Sequence, residues 1–128
     1  MKTSDLIKIL IKDTATLTSL PVAANYSEDT EDNITINHVG TSNFNDPALS
    51  YEFNSVIKSS SISFTIKTTT YSQLVGIYEL LQEAFDNKAN LTFSDGSVVK
   101  QSYESSYFEI YQKEARRHFA TVDFIFNH

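Results

Sequence analysis

Between Ser61 and Thr68 the chain alternates, with apolar Ile62, Phe64 and Ile66 separated by Ser63, Thr65 and Lys67. Successive strand side chains point to opposite faces, so this spacing predicts a strand with one buried and one wet face. The period then changes. Leu74, Ile77, Tyr78, Leu81, Ala84 and Phe85 recur at the three- and four-residue spacing that gathers side chains on one stripe of a helix. Thr70 followed by Gln73 matches a capping box, in which hydroxyl and amide satisfy free N–H groups of the first turn. Asn87 and Lys88 mark the stop. Gly76 inside this helix costs about 1 kcal/mol relative to Ala. It is either a point of close approach to a neighbour or a tolerated surface glycine.

The same reading extends along the chain. Ser4 is placed to cap a first helix beginning at Asp5, with Leu6, Ile7, Leu10, Ile11 and Leu17 as its apolar face and Pro21 as its end. Tyr26 to Asn33 is polar and acidic and reads as a loop, followed by a short strand from Ile34 to Val39. From Gly40 to Ser60 no clean period is visible. A structureless connection of that length is uncommon in a compact domain, and it is often functional or an extended hairpin. Asp95-Gly96 between two short β-type runs predicts a hairpin with a tight primed turn. Tyr107 to Lys113 alternates again, with Phe108 and Ile110 on one face and Tyr107, Glu109 and Tyr111 on the other. Phe119 to Phe126 is the last strand, with Ala120, Val122, Phe124 and Phe126 turned inward. Together these elements predict a single α+β domain over residues 1–128, with two main helices packed on a mostly antiparallel, mixed sheet and a long extended connection at about 40–60.

Composition supports a folded globule, because 41% of the residues are hydrophobic and 12% are Tyr or Phe. A net charge of −6 disfavours a protein whose task is to grip phosphate backbones, since that affinity comes from clustered Lys and Arg. With no cysteine the chain has neither disulfides nor thiolate metal ligands. No apolar run is long enough to span a bilayer, and the Leu6 to Ile11 segment is too short and too interrupted for a signal peptide. The sequons at Asn33 and Asn90 therefore read as accidental.

Candidate chemistry is sparse. Glu28, Asp29, Glu31 and Asp32 are enough carboxylates for a hard cation but lack the ordered spacing and central glycine of a calcium loop, so they read as a solvated loop. No nucleophile elbow frames any serine, and His38, His118 and His128 stand apart in sequence. We expect no catalytic residues, no metal and no cofactor, and hence no enzyme. Arg116 and Arg117, with His118 and Lys113 beside them, form the one basic concentration, and Tyr107 and Tyr111 lie on the neighbouring stretch. Unlike patches at the two ends of a chain suit a head-to-tail interface between copies, which can close into a ring.

The order helix, acidic loop, strand, long connection, alternating strand, amphipathic helix, hairpin and final strands resembles that of the tail-terminator, or tail-completion, proteins of long-tailed bacteriophages. The resemblance is carried by the opening Leu6 to Leu10 helix ending near Pro21, the Ser61 to Thr70 strand running into Tyr71 to Leu81, and the closing Arg117 to Phe126 segment. It covers nearly the whole chain. What it implies is a non-enzymatic structural protein of a phage or prophage virion tail, assembled in the bacterial host cytoplasm. Copies would form a ring, commonly a hexamer, that caps the tail tube and joins it to the head. Its partners would be itself, the tail-tube proteins and the head-completion proteins, with DNA passing through unbound and no membrane involved. On that reading Glu28, Asp29, Glu31, Asp32, Tyr51, Phe53, Tyr107, Tyr111, Arg116 and Arg117 are candidates for the subunit or tube interface, Tyr51 and Phe53 as aromatic anchors on the long connection. The alternative from the residues alone is a monomeric adaptor or peptide-binding module that uses an exposed sheet edge.

Overall fold

The computed structural model describes residues 1–25, 31–44 and 57–128. The elements run α1 (Thr3–Thr18), β1 (Val22–Ala24), β2 (Asn33–Phe44), β3 (Ile57–Thr68), α2 (Tyr71–Phe85), β4 (Lys88–Thr92), β5 (Val98–Gln112) and β6 (Arg117–Asn127). The strands make one six-stranded sheet in the order β1-β2-β3-β6-β5-β4. Only β1 and β2 pair in parallel. This is the α+β class that the periodicity predicts.

Both helices lie on one face of the sheet. The alternation of β3 decides this, because Ile62, Phe64 and Ile66 are fully buried beneath α2 together with Val122, Phe124 and Phe126 of β6. From above, α2 inserts Leu74, Ile77, Leu81 and Phe85, while α1 inserts Leu6, Ile9 and Leu10. Phe85 sits at the centre of an aromatic cluster. Its ring centroid is 5.7 Å from each of Phe64, Phe124 and Phe126, and it meets the last two edge-on. That geometry suits the positive edge and negative face of aromatic rings.

Local signals held at one helix and failed at the other. Thr70 is the N-cap of α2 and accepts from the Gln73 amide at 3.3 Å, as the capping box requires. Its hydroxyl also donates to Gln73 Oε1 at 3.1 Å, so the Gln73 amide group serves the cap side chain rather than the cap backbone. At α1, Ser4 lies inside the first turn and the N-cap is Lys2, whose carbonyl takes the N–H groups of Asp5 and Leu6. Ser19 ends α1 in the left-handed conformation, two residues before Pro21. Leu17 is exposed, whereas Ile9, absent from the expected apolar face, is buried. Gly76 faces solvent and a Cβ there would meet nothing within 4 Å, which selects the tolerated surface glycine.

Both described ends of the long connection are strand, and residues 45–56 between them lie outside the described residues. β2 continues past Val39 to Phe44, and β3 begins at Ile57, so the two pair as an extended hairpin from Asn33↔Lys67 to Phe44↔Ile57. Ser and Thr on both strands hid the period, because their side chains are compatible with either face. The Asp95-Gly96 turn departs from the primed form. Asp95 has a negative φ and Gly96 alone is left-handed, at φ 87°. The Gly96 amide donates to Phe93 O and the Phe93 amide to Ser97 O, which makes the three-residue hairpin loop that places glycine at its left-handed position.

Candidate functional site

β5 outruns its neighbour. β4 pairs only with Val98–Ser102, so from Tyr103 to Gln112 the outer edge of β5 has no strand beside it among the described residues. At the other side of the sheet, β1 covers only Ile34–Ile36 of β2, so among the described residues no strand lies beside β2 from Asn37 to Phe44. Unpaired edge N–H and C=O groups are a template for another strand. A bulge interrupts each of these strands, at Val39 in β2 and at Ser105 in β5, and both lie beside Ile62 of β3 when followed across the ladder. Two bulges at one height bend the sheet along that line.

Apolar side chains accompany the open edges. Phe108 and Ile110 project from the helix-free face of β5 and are 63% and 50% exposed, and Val39 at the β2 bulge is 64% exposed. The inward positions of β5 behave differently. Tyr107 stacks on Tyr78 of α2 at 3.9 Å, and its hydroxyl donates to Glu109 Oε2 at 2.6 Å. Tyr78 donates to Glu104 Oε1 at 2.5 Å, and Gln82 donates to Glu104 Oε2 at 3.0 Å. Tyr71 donates to Glu109 Oε1 at 3.1 Å. Burial, then the Glu104 hydrogen bond, pushes the Tyr78 phenol up to about 12. Burial and Glu109 raise Tyr107 further still, and the Glu109 hydrogen bond raises Tyr71. These hydroxyls remain proton donors at neutral pH, so the network ties α2 to β5 through phenol–carboxylate hydrogen bonds. A pocket of about 240 Å³ beside it is lined by Tyr71, Leu74, Glu109, Ile110, Tyr111 and His118.

Beside these apolar side chains, the helix-free face of β3 is mainly polar. Ser59, Ser61, Ser63 and Thr65 of β3 alternate with the core positions and share their face with Thr121 and Asp123 of β6. Lys67 lies over the Phe119 ring at 5.8 Å and covers part of it.

Of the residues singled out in the sequence, Glu28, Asp29, Tyr51 and Phe53 lie outside the described residues. Asp32 and Arg117 meet within the subunit, with Arg117 Nη1 at 3.1 Å from Asp32 Oδ1. The Thr69 hydroxyl donates to the same oxygen at 2.7 Å. The acidic and basic ends are thus already joined at this point in one chain. Arg116 is left-handed at φ 53° in the β5–β6 turn and exposed, as is Glu31 before β2. Tyr111 is half exposed against His118, with ring centroids 4.7 Å apart. Sequence reasoning passed over Val39, Phe108 and Ile110. The available signal was the apolar character of both faces of Tyr107–Tyr111, which an ordinary half-buried strand does not need.

The histidines that stand apart in sequence are not all apart in space. His38 Nε2 is 2.6 Å from Thr41 Oγ1, Thr41 is 2.9 Å from Ser60 Oγ, and Ser60 is 2.7 Å from His128 Nε2. His128 Nδ1 is 2.9 Å from Met1 O, a bond that fixes the proton on Nδ1 and leaves Nε2 to accept from Ser60. This is a serine and histidine pair without an attackable serine, because Ser60 is fully buried. Among the described residues no three His, Asp or Glu side chains are grouped to hold a metal ion, and no helix is long and apolar enough to cross a membrane.

No family model and no curated protein matches the sequence. The fold is shared with a solved chain from the virion of a native gene transfer agent particle. The two are 10% identical, with a TM-score of 0.65 over 95% of this chain and 90% of that one.

Proposed function

We propose that this chain is a structural component of a phage-like particle, acting as a tail terminator. Copies form a ring, commonly of six, that caps the finished tail tube, stops further addition of tube subunits and presents a surface to the head. The observation that carries this reading is the fold match over nearly the full length of both chains with a component of a gene transfer agent virion. Two features support it. Among the described residues the sheet has open stretches on both edges, which suit pairing with a neighbouring copy, and the helix-free face of β3 carries hydroxyls, which suit a wet channel through which DNA passes without being held. The role is non-enzymatic and needs no cofactor. Of the described interface candidates, Glu31, Tyr111 and Arg116 are exposed for contact with a neighbour or the tube, while Tyr107, Asp32 and Arg117 shape the surface from within.

The test is deletion of the gene from the genome that carries it, with tail length measured by electron microscopy. Tubes of unregulated length without heads are expected. Headed tails of normal length would overturn the reading. The open β5 edge also favours a second function, strand addition to a peptide of another protein by a monomeric adaptor, which predicts a soluble one-to-one complex and no effect on tail length.

A further inference from the structure

We infer that the copies join edge to edge, the open stretch of β5 in one subunit pairing with the open stretch of β2 in the next, so that one sheet runs round the ring. The inference rests on the ring reading and specifies how the ring closes. Strand sense is the first support. β2 and β6 run one way and β3 and β5 the other, so a neighbour placed beside β5 in the same orientation presents β2 antiparallel to it. Such a neighbour keeps its helices on the same side as those of the first copy. The pairing is heterologous, and heterologous contacts can close into rings.

The heights of the open stretches supply the second support. Followed across the ladder, Tyr103–Gln112 lies level with the C-terminal part of β3 from Ser61 onward, and Asn37–Phe44 lies level with Ile57–Ser63. Each copy must therefore shift along the strands by about five to six residues, roughly 16–20 Å. The repeat across β2, β3, β6 and β5 is roughly 19 Å wide. These give a strand tilt of about 40–45°, within the range that closed sheets adopt. β4 and β1 are placed to allow the shift. One blocks the upper part of β5 and the other the lower part of β2, so the two notches interlock.

Side chains fit the same register. Pairing Phe108 with Ser42 keeps both on the helix-free face and sets Ile110 beside Gly40 of the neighbour. A Cβ at Gly40 would meet nothing within 4 Å, which leaves open space for Ile110 to cover the glycine. Val39 is then sheltered by the same contact. Three exposed apolar side chains that the monomer does not use thus acquire a place.

The absence of native cysteine makes the test direct. Ser42→Cys combined with Phe108→Cys should give, on mild oxidation, a covalent ladder that ends at the ring number seen by native mass spectrometry. Each single variant should give nothing above a dimer. Phe108→Cys combined with Glu79→Cys, on the exposed helix side, should give no ladder. Phe108→Glu should raise the concentration for half-assembly at least about ten-fold, as loss of a central apolar anchor does, with an unchanged melting curve for the monomer. Closed rings that give no ladder and ignore Phe108→Glu would overturn the edge pairing and leave the capping role standing. A ladder without a closed species would support the pairing and overturn the ring. A monomer without a ladder at any concentration would overturn the pairing, and tail length would then judge the capping role separately.

Discussion

Phe85→Ala and Phe108→Ala exchange the same side chain for the same stub, and the structure assigns them opposite consequences. Phe85 is 4% exposed, lies on the last turn of α2 and touches three other rings. Truncating a buried Phe costs about 3–5 kcal/mol, the removed transfer free energy plus the cavity left behind. The edge-on contacts with Phe124 and Phe126 put the change toward the upper end, since each such pair adds about 0.5–1.5 kcal/mol beyond burial. Phe108 is mostly exposed, so its loss from the monomer should cost no more than about 0.5 kcal/mol. Equilibrium unfolding in urea, followed by far-ultraviolet circular dichroism at a concentration where the chain is monomeric, reads both. With a slope of about 1–3 kcal/mol per molar, Phe85→Ala should lower the midpoint by more than 1 M and Phe108→Ala by a few tenths. A double-mutant cycle with Phe124→Ala should return a coupling of about 1 kcal/mol. A midpoint shift for Phe85→Ala no larger than that for Phe108→Ala would refute the placement of the core on the α2 face.

The glycines should also separate. Gly76→Ala should raise stability by about 0.5–1 kcal/mol, because the helix face there is open, whereas Gly96→Ala should lower it by about 1 kcal/mol through its left-handed φ, both read from thermal melts. Asp32→Ala and Arg117→Ala should each cost about 1 kcal/mol, discounted for partial exposure, and the two losses should not add in the double variant. His128 is held below the usual histidine range, chiefly by burial. Its neutral form is therefore favoured in the folded state, so stability should be flat above pH 6.5 and decline as the pH falls below it, where the unfolded chain takes up a proton first. The groups facing His128 are His38, Lys58 and the N-terminal amine. His128→Gln should flatten that decline in melts taken from pH 7.5 to 5, and an unchanged slope would reject the assignment.

Elements with a single strong period were readable in advance. Ile62, Phe64 and Ile66 announced β3, and Leu74 to Phe85 announced α2 with its Thr70 cap, because in both cases burial on one side fixes the pattern. What escaped was set by geometry between elements. The strand from Gly40 to Phe44 and its partner from Ile57 to Ser60 are paired through backbone groups, which no side-chain period records. The alternation of Tyr107 to Lys113 put Phe108 and Ile110 on one face without saying which face was inner. Only the position of α2 over Tyr107 shows that the tyrosine side of β5 is the inner one. The meeting of Asp32 with Arg117 joins residues far apart in the chain and has no local signature. Ser4 failed as a cap because the helix begins two residues earlier, where the Lys2 carbonyl takes the first-turn N–H groups.

The one-sided layering of helices divides the information in the central strands between two independent readers. In β3 and β6 the even-numbered positions Ile62, Phe64, Ile66, Val122 and Phe124 answer to the core, and the odd-numbered positions Ser61, Ser63, Thr65, Thr121 and Asp123 answer to whatever fills the space beyond the sheet. Selection on what meets that surface can rewrite every second letter while leaving the fold's own text intact. Descendants of such a chain can diverge until almost no identity remains and still share a backbone, and a saturation scan through these strands would show the division as a sawtooth of tolerance with a period of two.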